Sequence, residues 1–519
     1  MFLPRRRPTA AEDPTVTVVP AGRPGPVHWT LVLAGLVLAG WLYVCLAGIL
    51  VSTTNQNPLA QDQKNNMRLA LEAREAMAFD LGDGLGPAIR RWLPHLTDGV
   101  VAPLWPWAAA RVARDDHRID PAVFAEHTPA DLALFERGKW LNVWITGLFL
   151  AGLALWVARR WTVLGTLNFV GLAMLGALLP RAVTFQPEPL YFIFFFLCWM
   201  MGLALCSRNP LGWYAVLGLL CGLAGLAKSS IQPLMAIWFG VTALRFALGL
   251  WIPSERWSPA RHVIGVMMWV SIFLVVMAPR LVHAQERWGR PFFAYPNVWM
   301  WMDDFPTGYA WMGEHPDAKS LDAVPKDRWP SSATYWASHS TDQMLTRLQD
   351  GLLGEDGSVR TFLAPKGSGK NAGTQEKPWK RLLEPRGGFL GGLAAVAVAA
   401  AALGWAGRRQ APSPDRPTAS PANPWPDALC RTFLVVGAVV AFTCLYAWYV
   451  PVGRGERFML SLWLPLVFSL TAWAEAAIRP LGWGPGRWTY TGLQTLLLGF
   501  LLWRVGEILR APIFETKLY

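Results

Sequence analysis

Charge is what this 519-residue chain has least of. Asp, Glu, Lys and Arg make up 16% of it and hydrophobic residues 53%, whereas a soluble chain carries about a quarter charged residues. That shortage excludes a soluble domain of this length. Lys/Arg runs interleaved with aromatics are missing, so the formal charge of +12 points to anionic lipid or lipid phosphate and not to nucleic acid. The six Cys (Cys45, Cys198, Cys206, Cys221, Cys430, Cys444) fall in or beside apolar segments without metal-ligand spacing, and read as small buried hydrophobes. Recognisable catalytic signatures are missing as well. GSGKN at 367–371 lacks the first Gly and the Ser/Thr of a P-loop, and GDGLG at 82–86 has the wrong spacing for a dinucleotide turn. There is no D-x-D pair, no zinc pattern among the eight His and no G-x-S-x-G elbow. No metal or other cofactor is therefore expected.

What the chain does have is apolar length, and 30 Trp, a residue that favours the membrane–water interface. Residues 1–27, with PRRRP at 4–8, read as a disordered cytoplasmic tail. The 24 residues His28–Val51 are long enough to cross the hydrocarbon core and too long for a signal-peptide core, so they read as an uncleaved anchor. Further spans are expected at 138–158, 162–182, 189–207, 211–228, 231–250, 262–283, 388–407, 428–450, 458–477 and 486–507. The fold class is an all-α polytopic membrane protein of about eleven helices. An odd number puts the N-terminus inside and the C-terminus outside. Arg159, Arg160, Arg208, Arg256, Arg261, Arg408, Arg409, Arg416, Arg479 and Arg487 then fall on the inner side, as the positive-inside rule asks.

Four regions result: the tail, an N-terminal membrane module at 28–283 with a first outer loop at 53–137, a long outer loop at 284–387, and a C-terminal membrane block at 388–519. Such a long loop exceeds a passive connection. Its aromatic part, FFAYPNVWMWMDDFPTGYAWM, reads as folded against the membrane face, and PKGSGKNAGTQEKP as flexible. The Pro-rich stretch 411–426 marks a break before the last three spans.

The interiors of the spans are almost free of ionisable residues, while Asp62, Glu72, Glu75, Asp80, Asp83, Asp98, Glu188, Asp303 and Asp304 sit at the outer surface. That distribution suits an enzyme at the interface better than an ion pathway. Over 62–79 the spacing predicts a helix with Arg68, Glu72 and Glu75 on one face. Met67, Ala70, Leu71, Met77 and Ala78 form the other face, so the helix should rest on the bilayer with its acids in water. Asp62 precedes this helix, where a carboxylate serves either as cap and dipole partner or as a general base. Glu188, in FQPEPLY, is either a solvated helix-start acid or a polar group over a pocket. Lys228, in GLAGLAKSS, is a snorkelling anchor or a phosphate ligand. In PVGRGERF, Arg454 and Arg457 either grip a phosphate or, for Arg454, pair with Glu456.

In their order along the chain these patches resemble the GT-C superfamily of polyprenyl-phosphate-sugar-dependent glycosyltransferases, in particular bacterial protein O-mannosyltransferases and the lipid A aminoarabinose transferase. Asp62-Gln63 matches the acidic pair after the first span, with Gln in the second place. LALEAREAMA resembles the juxtamembrane helix, and TDGVVAPLWPW a PPL-x-x-W segment with Ala102 for the first Pro. QPEPLYF, GLAKSSIQP and GERF resemble later elements. The resemblance implies transfer of a sugar from a polyprenyl-phosphate donor to a hydroxyl acceptor on a glycan, lipid or protein. The reaction would take place at the outer face of a bacterial inner membrane, with inversion at the anomeric carbon. It implies that Asp62 is the general base, that Glu188 orients sugar or acceptor, and that Lys228, Arg454 and Arg457 hold the donor phosphate. The loop bearing Trp299, Trp301, Asp303 and Asp304 would cover the cavity; its Trp rings serve either as stacking faces for sugar or as interface aromatics. A lipid-linked glycan polymerase or ligase would depend on the outer Arg residues instead, and a transporter on polar groups at mid-membrane.

Overall fold

Apolar runs with internally paired backbone become helices here, and a computed structural model of the chain contains no strand among its described residues. Those are 25–53, 62–77, 85–112, 129–252, 257–363, 386–410, 425–453, 456–481 and 484–510. Residues 1–24, the tract at 365–378 and most of the Pro-rich stretch 411–426 lie outside them.

The first long helix is α1 (Pro26–Thr53), followed by the short α2 (Asp62–Met77), α3 (Leu85–Leu96) and α4 (Leu104–Ala110). Then come α5 (Pro129–Ala158), α6 (Val163–Ala173), α7 (Leu179–Ala182), α8 (Glu188–Leu205), α9 (Leu211–Ala227), α10 (Gln232–Trp251) and α11 (Pro259–Trp288). The long loop folds into six short helices: α12 (Tyr295–Trp299), α13 (Phe305–Glu314), α14 (Ala318–Asp322), α15 (Ser332–Ser338), α16 (Thr341–Leu353) and α17 (Ser358–Leu363). The chain continues through α18 (Arg386–Gln410), α19 (Trp425–Tyr449), α20 (Glu456–Met459), α21 (Trp463–Ile478) and α22 (Pro485–Arg510).

Among the described residues, ten helical stretches are long and apolar enough to cross a membrane. The fifth of the eleven expected spans forms α9, a shorter apolar helix of 17 residues. Large apolar side chains such as Val37, Leu148, Val275 and Leu496 point away from the bundle and are more than two-thirds exposed, as a lipid-facing surface requires. This is the architecture of a polytopic helical membrane protein.

Small residues set how closely the helices approach. Without a hydrophobic drive between helices in lipid, close backbone contact is a main source of affinity. On α9, Gly218, Gly222 and Gly225 face α11, and a Cβ on Gly218 would lie 2.6 Å from the Trp269 carbonyl oxygen. One on Gly222 would lie 2.6 Å from Val276. The reverse contact also exists, because Gly265 of α11 receives the ring of Tyr214. Since a backbone carbonyl cannot yield as a side chain does, Gly218→Val is expected to cost about 1–3 kcal/mol or more. Thermal unfolding in detergent should show a lowered midpoint for it and none for Gly212→Val, where nothing lies within 4 Å of the new Cβ.

Between α6 and α7 the helix widens into a π turn, Met174–Leu178. Pro180 has no N–H to give the Gly176 carbonyl four residues back, and the buried Arg386 Nε donates to it instead, at 3.0 Å. The indole of Trp463 packs onto Gly176 and donates Nε1–H to the Leu172 carbonyl at 2.9 Å. The irregular turn thus ties α6 to α18 and α21.

Both excursions lie at the same end of the bundle. Gly99, at φ +86°, makes a left-handed turn against which the rings of Trp288 and Tyr295 pack, and its carbonyl accepts the Tyr295 N–H at 3.1 Å. Asp98 closes that turn by accepting from the Val100 and Val101 N–H groups, and it pairs with Arg68 at 3.2 Å. The expectation that α2 rests on lipid is corrected. Met67, Ala70 and Leu71 are buried against Trp105, Phe135 and Phe185, so its apolar face is spent on protein. Its polar face is not simply wet either, because Glu72 pairs with Arg68 at 2.8 Å.

The other end of the bundle holds charged groups that the apolar runs conceal. Glu475 accepts from the Thr162 N–H, the Thr162 hydroxyl and the Tyr490 hydroxyl, at 2.9, 2.6 and 2.8 Å. Arg245 pairs with Asp427 at 2.9 Å and donates to the Cys206 carbonyl. The spans are therefore less free of ionisable residues than the sequence suggests, although these groups are engaged in tying helix ends together. Cys198, Cys206, Cys221 and Cys430 are buried as expected of small hydrophobes, while Cys444 is exposed on α19.

Candidate active site

Asp62 is the first residue of α2, half-buried, and its backbone carbonyl accepts the Asn66 amide at 2.7 Å. The next residue explains how this helix start is held. Gln63 is buried, and its side-chain oxygen accepts the Phe185 N–H at 3.0 Å. The residue that breaks the acidic pair is thus a clamp between α2 and the segment before α8.

That segment is gripped from three sides. Asn142 donates to the carbonyls of Thr184 and Gln186, both at 3.0 Å. The Phe185 ring stacks on Phe135 and meets Trp105 edge-on, which gives the PLWPW patch its role in the core. Gly138 makes room, because a Cβ there would collide with the Phe185 ring.

Three residues beyond Phe185, Glu188 opens α8 and is 1% exposed. Lys228 follows the last residue of α9 and reaches back to it, with Nζ 2.6 Å from Oε1. Neither is a solvated acid or a plain snorkelling anchor. The ammonium also lies 4.4 Å from the ring centre of Phe458, which stacks on Tyr446 and meets Tyr449 edge-on. Phe458 belongs to the GERF patch, so that patch arrives beside Lys228. Arg454 and the side chain of Arg457 lie outside the described residues.

Two cations that the sequence reading passed over sit close by. Arg280 donates to the Gly225 carbonyl at 2.9 Å, near the end of α9. Lys139, wholly buried on α5, points its ammonium at the Val51 carbonyl 3.5 Å away, near the end of α1. Helix C-termini favour cations. Neither residue stands in a motif, and only a charge inside an expected span boundary marks them in the sequence.

The four loop residues separate into different roles. Trp299 is buried, with Tyr295 stacked on it and Phe305 edge-on, so its faces serve the core of the loop and not a sugar. Asp304 caps α13 by accepting the Thr307 N–H at 2.8 Å, which holds its carboxyl below the usual range; it is a structural cap. Trp301 packs near Tyr335 and Trp448. Asp303 accepts from the Tyr335 hydroxyl at 3.1 Å and lies 3.2 Å from His339 and 3.5 Å from Arg347. Burial pushes the Tyr335 hydroxyl pKa up, against the opposing pull of Arg347. Tyr335, His339 and Arg347 carry no signal in the sequence because they reach Asp303 from α15, its C-cap and α16, all distant along the chain.

Among the described residues no group of three or more His, Cys, Asp or Glu side chains converges as a metal site. Searches of family models, curated proteins and solved structures return no match to this chain.

Proposed function

We propose that the protein is an integral membrane glycosyltransferase of GT-C type, moving a sugar from a polyprenyl-phosphate donor to a hydroxyl acceptor at the outer membrane face. The observation that carries this reading is the continuity from Asp62-Gln63 through Phe185 to Glu188, Lys228 and Phe458. Four patches far apart in sequence, each at a position resembling one where the superfamily keeps functional residues, are linked: Gln63 to Phe185, Phe185 along the chain to Glu188, and Glu188 through Lys228 to Phe458.

In the reaction, the acceptor oxygen attacks C1 of the donor sugar, the C1–O bond to phosphate breaks, and polyprenyl phosphate leaves with the bonding pair. Asp62 takes the hydroxyl proton, and the configuration at C1 inverts. The leaving phosphate develops the largest charge, and cations fixed in a low-dielectric site stabilise it before it forms. Lys228 and, from their motif, Arg454 and Arg457 take that role. Glu188 holds the Lys228 ammonium and, beside it, orients the sugar. No metal or other cofactor enters this scheme.

The test is transfer itself. Purified protein in nanodiscs, given radiolabelled polyprenyl-phosphate sugars and membrane glycan and glycolipid fractions, should move label from donor to acceptor. Folded protein that transfers from none of these donors would overturn the reading.

A further inference from the structure

We propose that the cleft between α15, α16 and the end of α19 binds a glycan carrying free amino groups, and that this glycan is the acceptor. The proposal rests on the transferase reading in its second half only. The cleft has a volume of about 660 Å3, within the range of sites that bury small ligands, and it is open along one side.

Its floor is built rigidly. Arg347, 8% exposed, donates to the carbonyls of Trp448 and Met300 and to the Tyr335 hydroxyl, at 3.0, 3.3 and 2.8 Å. The guanidinium lies 4.9 Å from the Tyr335 ring centre and 4.7 Å from that of Trp448, and His339 stacks on Tyr335. On the α16 side, Gly351 lets the backbone touch the Ala447 carbonyl of α19, where any Cβ would collide. The cleft is therefore held on one side by close backbone packing and on the other by the hydrogen bonds and ring contacts of Arg347.

The lining has the chemistry of sugar recognition. Gln343 and Thr346 line it with an amide and a hydroxyl, which donate and accept as sugar hydroxyls do. Asp350 and Asp356 add carboxylates, while a third, Asp303, is engaged by Tyr335, His339 and Arg347. A carboxylate accepts from hydroxyls and attracts ammonium groups, and it repels phosphate or uronate. A neutral glycan would use only half of this lining.

Position supports the acceptor role. Val450 and Pro451 wall the cleft. Tyr449, one residue earlier, meets Phe458 edge-on at 5.7 Å, and Phe458 lies under the Lys228 ammonium. A ligand in the cleft thus lies a few side chains from the proposed phosphate site.

Titration calorimetry of the full chain in detergent tests this without any donor. A β-1,4-glucosamine tetramer should bind, its fully N-acetylated counterpart at least tenfold more weakly, and tetralysine more weakly than the glucosamine tetramer. Asp350→Asn with Asp356→Asn should weaken the amino tetramer at least tenfold, and Asp342→Asn, on the same helix outside the cleft, should not. Absence of binding by folded wild type, equal binding of the acetylated form, or equal binding of tetralysine would each overturn the proposal. Protein that transfers sugar yet ignores the tetramer loses the cleft assignment alone. Protein that binds it and never transfers keeps the cleft and loses the transferase.

Discussion

If the protein is the proposed transferase, Asp62→Asn is expected to lower sugar transfer by about 10²–10⁴-fold, the range that a positioned general base contributes, with little change in the KM for the donor. The substitution keeps the shape of the side chain and removes its negative charge, and with that its ability to take a proton. The helix start should survive it. Asn is as good as Asp at helix N-termini, the oxygen that accepts the Asn66 amide belongs to the backbone, and the clamp to Phe185 is made by Gln63. Size-exclusion profiles and unfolding midpoints should therefore match wild type. Initial rates measured with radiolabelled donor decide the matter: activity within twofold of wild type would remove Asp62 as base. A loss seen as a raised donor KM with unchanged kcat would make it a binding group instead.

The helices were legible in the sequence because lipid imposes a simple rule, namely that about 20 apolar residues must pair their own backbone groups. α1, α11 and α19 follow from apolar length alone. The site was legible only in pieces. Asp62, Glu188 and Lys228 stand out as charges at span ends, yet nothing in a one-dimensional pattern says that Lys228 pairs with Glu188 across 40 positions. Gln63 looked like a defect in an acidic pair and is a clamp, because its partner is a backbone N–H, which every sequence contains. Lys139 and Arg280 do not stand out because each lies near the end of a long helix that carries other charged residues there. In the loop, aromatic density drew attention to Trp299, whose ring is enclosed. The cleft residues Tyr335, His339 and Arg347 are spread over short helices set by local caps such as Ser331 and Ser340, and composition says little about how such helices dock.

The Glu188–Lys228 pair should separate stability from catalysis. Both side chains are withdrawn from water, at 2% and 16% exposure, and removing one partner of a buried ion pair costs about 3–5 kcal/mol. Glu188→Gln and Lys228→Met alone are therefore both expected to lower the unfolding midpoint strongly. The double variant removes both charges and sets a thioether against Phe458, a favourable contact in its own right, so its stability should return to within about 1 kcal/mol of wild type, as apolar or neutral replacements of whole buried pairs often do. Transfer should not return with it. If the ammonium helps hold the leaving phosphate, its loss costs about 10²–10³-fold in rate, the usual effect of removing one donor to a developing oxyanion. Unfolding midpoints and single-turnover rates on the same three preparations resolve the two contributions. A double variant that is both stable and active would reduce the pair to a tie between α8 and α9 and leave the phosphate to Arg454 and Arg457. One that is stable and inactive would place the reaction at the end of α9, where the glycine contact with α11 fixes the height of the Lys228 backbone.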